Sequence, residues 1–224
     1  MINRLYTLFL SLFVSLVAYG QTAGTIASKD AMLYDSSRHL YEKGNKLTIV
    51  SKDLEWPKGL SGSVLTELQQ YLTTFFFGQA SDSYDAGWKQ FESLQGKEVH
   101  AIKDDTGTKR RYYDMVLRCL WLEQGRYVSF LARLEERNET SVITQKYSYF
   151  TFDLINKKVL TQKDVFNQTR MWQDANIRSQ FCELLDYMAN THTADSIDWD
   201  HLPNQFALEG QNIRFDLGVD KSGG

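Results

Sequence analysis

Tyr112-Tyr113-Asp114-Met115-Val116-Leu117-Arg118-Cys119-Leu120-Trp121-Leu122 is the stretch on which the fold turns. Tyr113, Met115, Leu117, Cys119 and Trp121 share one parity, while Val116, Leu120 and Leu122 share the other. Apolar residues on both faces predict a central strand that is covered on each side. Glu123-Gln124-Gly125 is a hairpin signal. Residues 127–134 then return as a strand, with Val128, Phe130, Ala132 and Leu134 on one face. Ser129, Arg133 and Glu135 take the opposite face. Residues 135–140 are charged and read as an exposed turn. Residues 142–154 make a third strand. Ser148, Phe150, Phe152 and Leu154 point one way; Tyr147, Tyr149, Thr151 and Asp153 point the other. Three long strands joined by short turns predict an antiparallel meander. The fold expected is α+β, an antiparallel sheet meander with two main helices packed on it.

The flanking sequence supplies the helices. Val64, Leu65, Leu68, Leu72, Phe75 and Phe76 recur at three- and four-residue steps and predict a helix over 63–77. Ser61 or Ser63 caps its start and Gly78 marks its end. A second main helix is expected over 171–190, with a stripe of Ile177, Phe181, Leu184, Leu185 and Met188. Tyr84, Trp88 and Phe91 form one face of a short helix reaching Leu94. Residues 46–51 read as a strand, stopped by Trp56-Pro57 because proline lacks a ladder donor. Residues 21–44 are polar and weakly patterned, and 103–111 read as a loop or hairpin tip. Residues 155–158 are a turn, followed by a short pairing segment at Val159-Leu160. Thr161 and Asp164 resemble a capping box with Asp in place of Glu. Residues 205–209 and 212–217 are two final strands around Gly210.

The amino end sets the expected compartment. Arg4 precedes an apolar run over 5–17, and Ala18-Tyr19-Gly20 offers a small-x-small site. This pattern is that of a secretory signal peptide. The run falls short of the roughly 20 residues of a spanning helix. Cleavage is expected between Gly20 and Gln21, leaving a periplasmic or secreted product with no stable membrane anchor and no lipid-bearing cysteine. The domain order expected is a signal peptide at 1–20, a polar segment at 21–45, an α+β domain at 46–217 and a tail at 218–224. The large domain divides at 110/111 if it holds two subdomains. The formal net charge of −3 becomes −4 once Arg4 is removed. A mildly acidic surface argues against a nucleic-acid partner, which needs a basic face. Composition, at 42% hydrophobic and 13% aromatic with two prolines, describes a chain with a core.

Reactive chemistry is sparse. Cys119 and Cys182 are the only cysteines, and an oxidising compartment permits a disulfide between them; two buried free thiols fit equally well. His39, His100, His192 and His201 show no metal-ligand spacing, so no metal and no cofactor is expected. Asp195, Asp198, Asp200 and His201 cluster, but the glycine and ligand series of a calcium loop are missing. There is no Gly-x-Ser-x-Gly and no phosphate-cradling loop. Glu135, Glu136 and Glu139 offer carboxylates for glycan hydrolysis, yet an exposed turn raises no carboxyl pKa as an acid catalyst requires. No catalytic residue is assigned. The tyrosines Tyr112, Tyr113, Tyr127, Tyr147 and Tyr149 sit on neighbouring strands and combine packing area with a polar tip.

The block Tyr147-Ser148-Tyr149-Phe150-Thr151-Phe152-Asp153-Leu154-Ile155-Asn156-Lys157-Lys158-Val159-Leu160, with Asp164-Val165-Phe166, resembles the RsiV/PdaC-like extracytoplasmic domain family. Phe206 to Gly210 and Ile213-Arg214-Phe215 fit the family's closing hairpin, and Leu54-Glu55-Trp56-Pro57 its amino-terminal half. The resemblance implies an α+β fold outside the cytoplasmic membrane. It also implies a binder: one member type senses lysozyme directly, and another carries the domain beside a separate peptidoglycan deacetylase domain. The function expected is an exported, non-catalytic domain recognising a protein (lysozyme-like) or cell-wall ligand. Tyr147, Tyr149, Glu135 and Arg137 are expected to border the contact surface. A glycan hydrolase and a structural subunit of a surface assembly are the competing expectations.

Overall fold

The alternation over 112–154 becomes three long strands, β4 (Lys109–Glu123), β5 (Tyr127–Asn138) and β6 (Val142–Asp153), each antiparallel to the next. The computed structural model describes residues 31–60, 62–101, 107–123, 125–165, 205–209 and 212–215. Before the meander come β1 (Met32–Lys43), β2 (Lys46–Pro57), α1 (Gly62–Phe77), α2 (Tyr84–Gln95) and β3 (Lys97–Glu98). After it come β7 (Lys158–Val159), α3 (Gln162–Val165), β8 (Phe206–Glu209) and β9 (Asn212–Phe215). Seven strands form one sheet in the order β3-β1-β2-β4-β5-β6-β7, and β8-β9 form a separate hairpin. The architecture is α+β, a mostly antiparallel sheet with α1 and α2 packed on it. The second main helix expected at 171–190 lies outside the described residues, as do the signal peptide and the acidic loop at 191–203.

One pairing breaks the antiparallel rule. β2 and β4 run parallel, with Val50 opposite Tyr113 and Leu54 opposite Leu117. Parallel neighbours need a long crossover, and α1 and α2 both lie in the stretch between these two strands. The sheet is therefore continuous from residue 32 to residue 159.

Several expectations are corrected: the strand read over 46–51 runs on to Pro57, and β4 begins at Lys109 inside the stretch read as a loop. Residues 32–43, read as weakly patterned, are an edge strand paired fully with β2 and with β3 only at Tyr41 and Glu42. Its helix-facing positions include Asp35, Ser37 and His39, so the apolar alternation that marks a strand is absent. Residues 135–138, read as a turn, extend β5 to Asn138. The turn is shorter because Asn138 Oδ1 accepts from Thr140 N at 2.9 Å and Ser141 N at 2.7 Å, a side-chain turn that needs few residues.

The helix-facing side of the sheet is the core. Val50, Leu54, Met115, Leu117, Val128, Phe130, Ala132, Phe150 and Phe152 are all buried beneath Leu68, Leu72, Phe76, Phe77, Trp88 and Phe91. Trp56 illustrates how a polar atom is accommodated. Its Nε1 donates to Gln69 Oε1 at 2.6 Å, and Gln69 Nε2 donates to Pro57 O at 2.8 Å. Both buried groups are satisfied, as burial requires. The helices meet at Gly87, where an added Cβ would lie 2.8 Å from Thr73 Cγ2 and 2.9 Å from Phe77 Cδ2.

The opposite face, here the second face, carries Tyr112, Asp114, Val116 and Arg118 on β4 and their neighbours on β5 and β6. The β8-β9 hairpin docks on part of it. Leu208 N donates to Ser129 Oγ at 3.1 Å and Thr151 Oγ1 at 3.0 Å, and Thr151 Oγ1 donates to Phe206 O at 3.0 Å. Ser129 and Thr151 are wholly buried there, 2.9 Å apart. Two hydroxyls thus hold the hairpin backbone where apolar side chains would leave it unsatisfied.

Candidate functional site

The expected contact residues gather on the second face beside the hairpin. Tyr147 lies directly opposite Arg133, and Tyr149 opposite Leu131. The two tyrosine hydroxyls are 2.9 Å apart, with the rings edge to face at 5.3 Å between centroids. Tyr147 is 41% exposed. Arg137 stacks over the Tyr112 ring at 4.3 Å and lies 3.8 Å from Glu135 Oε1. Arg133 donates to Asp114 Oδ2 at 2.7 Å, and Arg118 grips Asp53 through both guanidinium nitrogens. Arg214 of β9 bonds Tyr149 from the hairpin side. All four expected residues therefore share one face, on strands rather than in a turn. Strand mounting fixes their positions better than a loop does.

A second polar arrangement was not legible in the sequence. Lys52 is 5% exposed, and its ammonium donates to Asp35 Oδ2 at 2.6 Å and Tyr84 OH at 2.9 Å. The same ammonium sits 3.7 Å from the Trp88 ring centroid, a cation–π placement. Burial raises the Asp35 pKa, but bonds from Lys52, Ser37 and Tyr84 outweigh it and leave the carboxyl below its ordinary value. Burial also pulls the Lys52 pKa down, against the bond to Asp35. Ser37 is directly opposite Lys52 in the β1–β2 register. Its Oγ lies 2.5 Å from Asp35 Oδ1 and 3.1 Å from His39 Nε2, and His39 Nδ1 is 2.9 Å from Glu98 Oε1.

Serine, histidine and carboxylate in this order match the atoms of a nucleophile, a base and its orienting group. The proton direction does not match. Ser37 donates its one proton to Asp35 Oδ1, so that proton is not held toward His39 Nε2 as a nucleophile's proton is held toward its base. The network ties β1, β2, β3 and α2 together. Its only sequence signal is the polar period-2 spacing of Asp35, Ser37 and His39.

A groove of about 560 Å³ opens between α1 and the β6–β7 edge. Tyr71, Phe75 and Val159 line it, with Lys146, Lys157 and Lys158 at its border and Glu67 the one carboxylate among the lining residues. Lys157 and Lys158 are placed by the turn after β6. Asp153 Oδ1 accepts from Ile155 N at 2.8 Å and Asn156 N at 2.9 Å, and Lys157 N donates to Asp153 O at 2.8 Å. Burial raises the Asp153 pKa, and the bonds from Asn156 and Ile155 more than reverse it, so the carboxyl titrates below its ordinary value.

Cys119 is half-buried and has no disulfide among the described residues. Burial, with Glu55 adding to it, pushes its thiol up to about 12, which suppresses the reactive thiolate. Cys182, its expected partner, lies outside the described residues, as does the Asp195–His201 cluster. No group of three or more His, Cys, Asp or Glu among the described residues is placed to hold a metal ion. No described helix is long and apolar enough to cross a membrane.

No family model and no curated protein matches the chain. Solved structures do. A member of the DUF3298 family from Bacteroides fragilis superposes with a TM-score of 0.50 at 12% identity, over 84% of this chain and 83% of that one. A DUF3298 family protein from Pseudomonas aeruginosa matches over 80% of each chain at 13% identity, with a TM-score of 0.37. The likeness is one of fold: this chain shares the fold of that Bacteroides fragilis protein.

Proposed function

We propose that the protein is an exported, non-catalytic recognition domain of RsiV/PdaC-like type, binding a protein or cell-wall ligand through the second face of β5 and β6. The observation that carries this reading is the pair of exposed Tyr147 and half-buried Tyr149 beside ion-paired Arg133 and Arg137. Tyrosine and arginine are the residues that most often dominate binding energy at interfaces. Val142 and Ile143, at the start of β6, are 55% and 50% exposed and extend the apolar area. A cross-strand ion pair to Asp114 holds Arg133, and Glu135 on the same strand with the Tyr112 ring holds Arg137, before a ligand arrives, which lowers the ordering cost of binding. The Ser37 proton engaged by Asp35 and the suppressed thiol of Cys119 both favour binding over catalysis. The leader at 1–20 supports export to the periplasm or beyond.

The test is direct binding of the mature protein to lysozyme and to purified peptidoglycan. Retention by at least one of them is expected, with affinity falling about tenfold or more in a Tyr147→Ala, Tyr149→Ala double variant. Retention by neither, equal retention of the double variant, or turnover of the glycan overturns the reading. An intact leader on the protein recovered from its native cells overturns the export step.

A further inference from the structure

The α1–β6–β7 groove lies on the other side of β6 from the tyrosine pair, and the recognition proposed above does not use it. Its border is cationic. Lys146 and Lys157 have only neutral acceptors among the described residues: Phe75 O at 3.5 Å for Lys146 and Ser63 Oγ at 2.6 Å for Lys157. Lys158 pairs with Asp164. A carboxylate entering the groove would replace neutral acceptors with charge-assisted bonds, which are stronger.

Lys157 supplies a second observation. Its φ is +55°, and it is the one non-glycine residue with a positive φ among the described residues. Glycine or asparagine adopts that conformation more readily. A lysine in such a position points to use of its side chain, since an off-region backbone is a reason to look for function.

The walls select the kind of anion. One wall is α1, whose backbone groups are engaged within the helix. Where β7 pairs with Phe152 and Asp153, the sheet edge is occupied as well. A peptide bound in extended form relies on a free backbone ladder, and this part of the groove has none to offer. Tyr71 and Phe75 are half-buried and present ring surface instead, which suits the C–H face of a sugar ring. The volume is within the range of small-ligand sites.

We infer that this groove is a binding site for an anionic saccharide, with Lys146 and Lys157 engaging its carboxylate and Tyr71 and Phe75 taking its apolar face. The experiment is calorimetric titration of the mature protein at low salt with a uronic-acid tetrasaccharide. Its carboxyl-reduced counterpart, inorganic phosphate and a hexaglutamate peptide serve as comparison probes. The carboxylated tetrasaccharide is expected to bind about tenfold or more tighter than each of the others, as the loss of one charged hydrogen bond implies. Lys157→Gly keeps the turn conformation, so it is expected to fold at least as stably as the parent while weakening binding several-fold. Lys146→Ala is expected to weaken it similarly.

Equal binding of the carboxyl-reduced sugar, tighter binding of phosphate or hexaglutamate, an unchanged affinity in Lys157→Gly, or no binding of any probe each overturns the site. The Tyr147→Ala, Tyr149→Ala variant is expected to bind the tetrasaccharide normally, so failure of either proposal is seen separately.

Discussion

The two faces of the sheet use the same strands to different ends. Toward the helices, β2, β4, β5 and β6 present aliphatic and aromatic side chains sealed from water, and a buried cation there, Lys52, is enclosed by Asp35, Tyr84 and Trp88. Away from the helices, the same strands present arginines and carboxylates paired in water, across strands at Arg118–Asp53 and Arg133–Asp114 and along β5 at Arg137–Glu135. Alternation of side chains lets one backbone support both. The difference teaches where charge is structural and where it is available. A buried ion pair is strongly destabilised by loss of one member, whereas an exposed pair contributes little.

Four measurements bear on that contrast. The largest effect is expected from Lys52→Ala, which leaves Asp35 without its ammonium partner; loss of about 3 to 5 kcal/mol in urea unfolding is predicted. A change no larger than that of a surface pair would erase the distinction between the faces. Gly87→Ala is expected to cost about 1 to 3 kcal/mol by forcing the helices apart, and the urea midpoint measures it. Its outcome separates tight helix packing from helix propensity, since alanine alone would favour the helix.

Acid comes next. Asp153 has a lowered pKa, so the folded state binds this proton less readily than the unfolded chain. Its stabilisation is complete above the ordinary carboxylate value of 3.8 and is lost as pH falls through the lower folded value. Asp153→Asn should flatten that part of the stability–pH curve. The smallest effect is expected from Arg118→Ala on the second face: roughly 1 kcal/mol or less, reduced further by salt. A loss as large as that of Lys52→Ala would show that the second face is a structural layer and not a surface held open.

Sequence periodicity revealed the parts in which one face is apolar and the other is not. In β6 the alternation placed Tyr147 and Tyr149 opposite Phe150 and Phe152, and in α1 the stripe from Leu68 to Phe76 placed the helix. β1 escaped because Asp35, Ser37 and His39 occupy core-side positions, where a period-2 signal needs apolar residues. The end of β5 escaped because Glu135 and Arg137 are stabilised as strand by pairing across the sheet, which a charged run in sequence does not disclose. The parallel joint of β2 and β4 depends on the path of two helices and has no local signature. The lysine groove joins residues 71, 75, 146 and 157, which only the folded chain brings together.

Ser129 and Thr151 have a consequence for the order of assembly. Each hydroxyl is placed by the meander, and the backbone it receives lies 79 residues further along the chain for Ser129 and 55 for Thr151. A chain is synthesised amino end first, so the sheet and both helices have time to form before their last cover arrives. Until then two hydroxyls and one flank of the sheet stay wet. A chain halted at that stage of synthesis would carry its helix-side core complete and its hairpin latch still open.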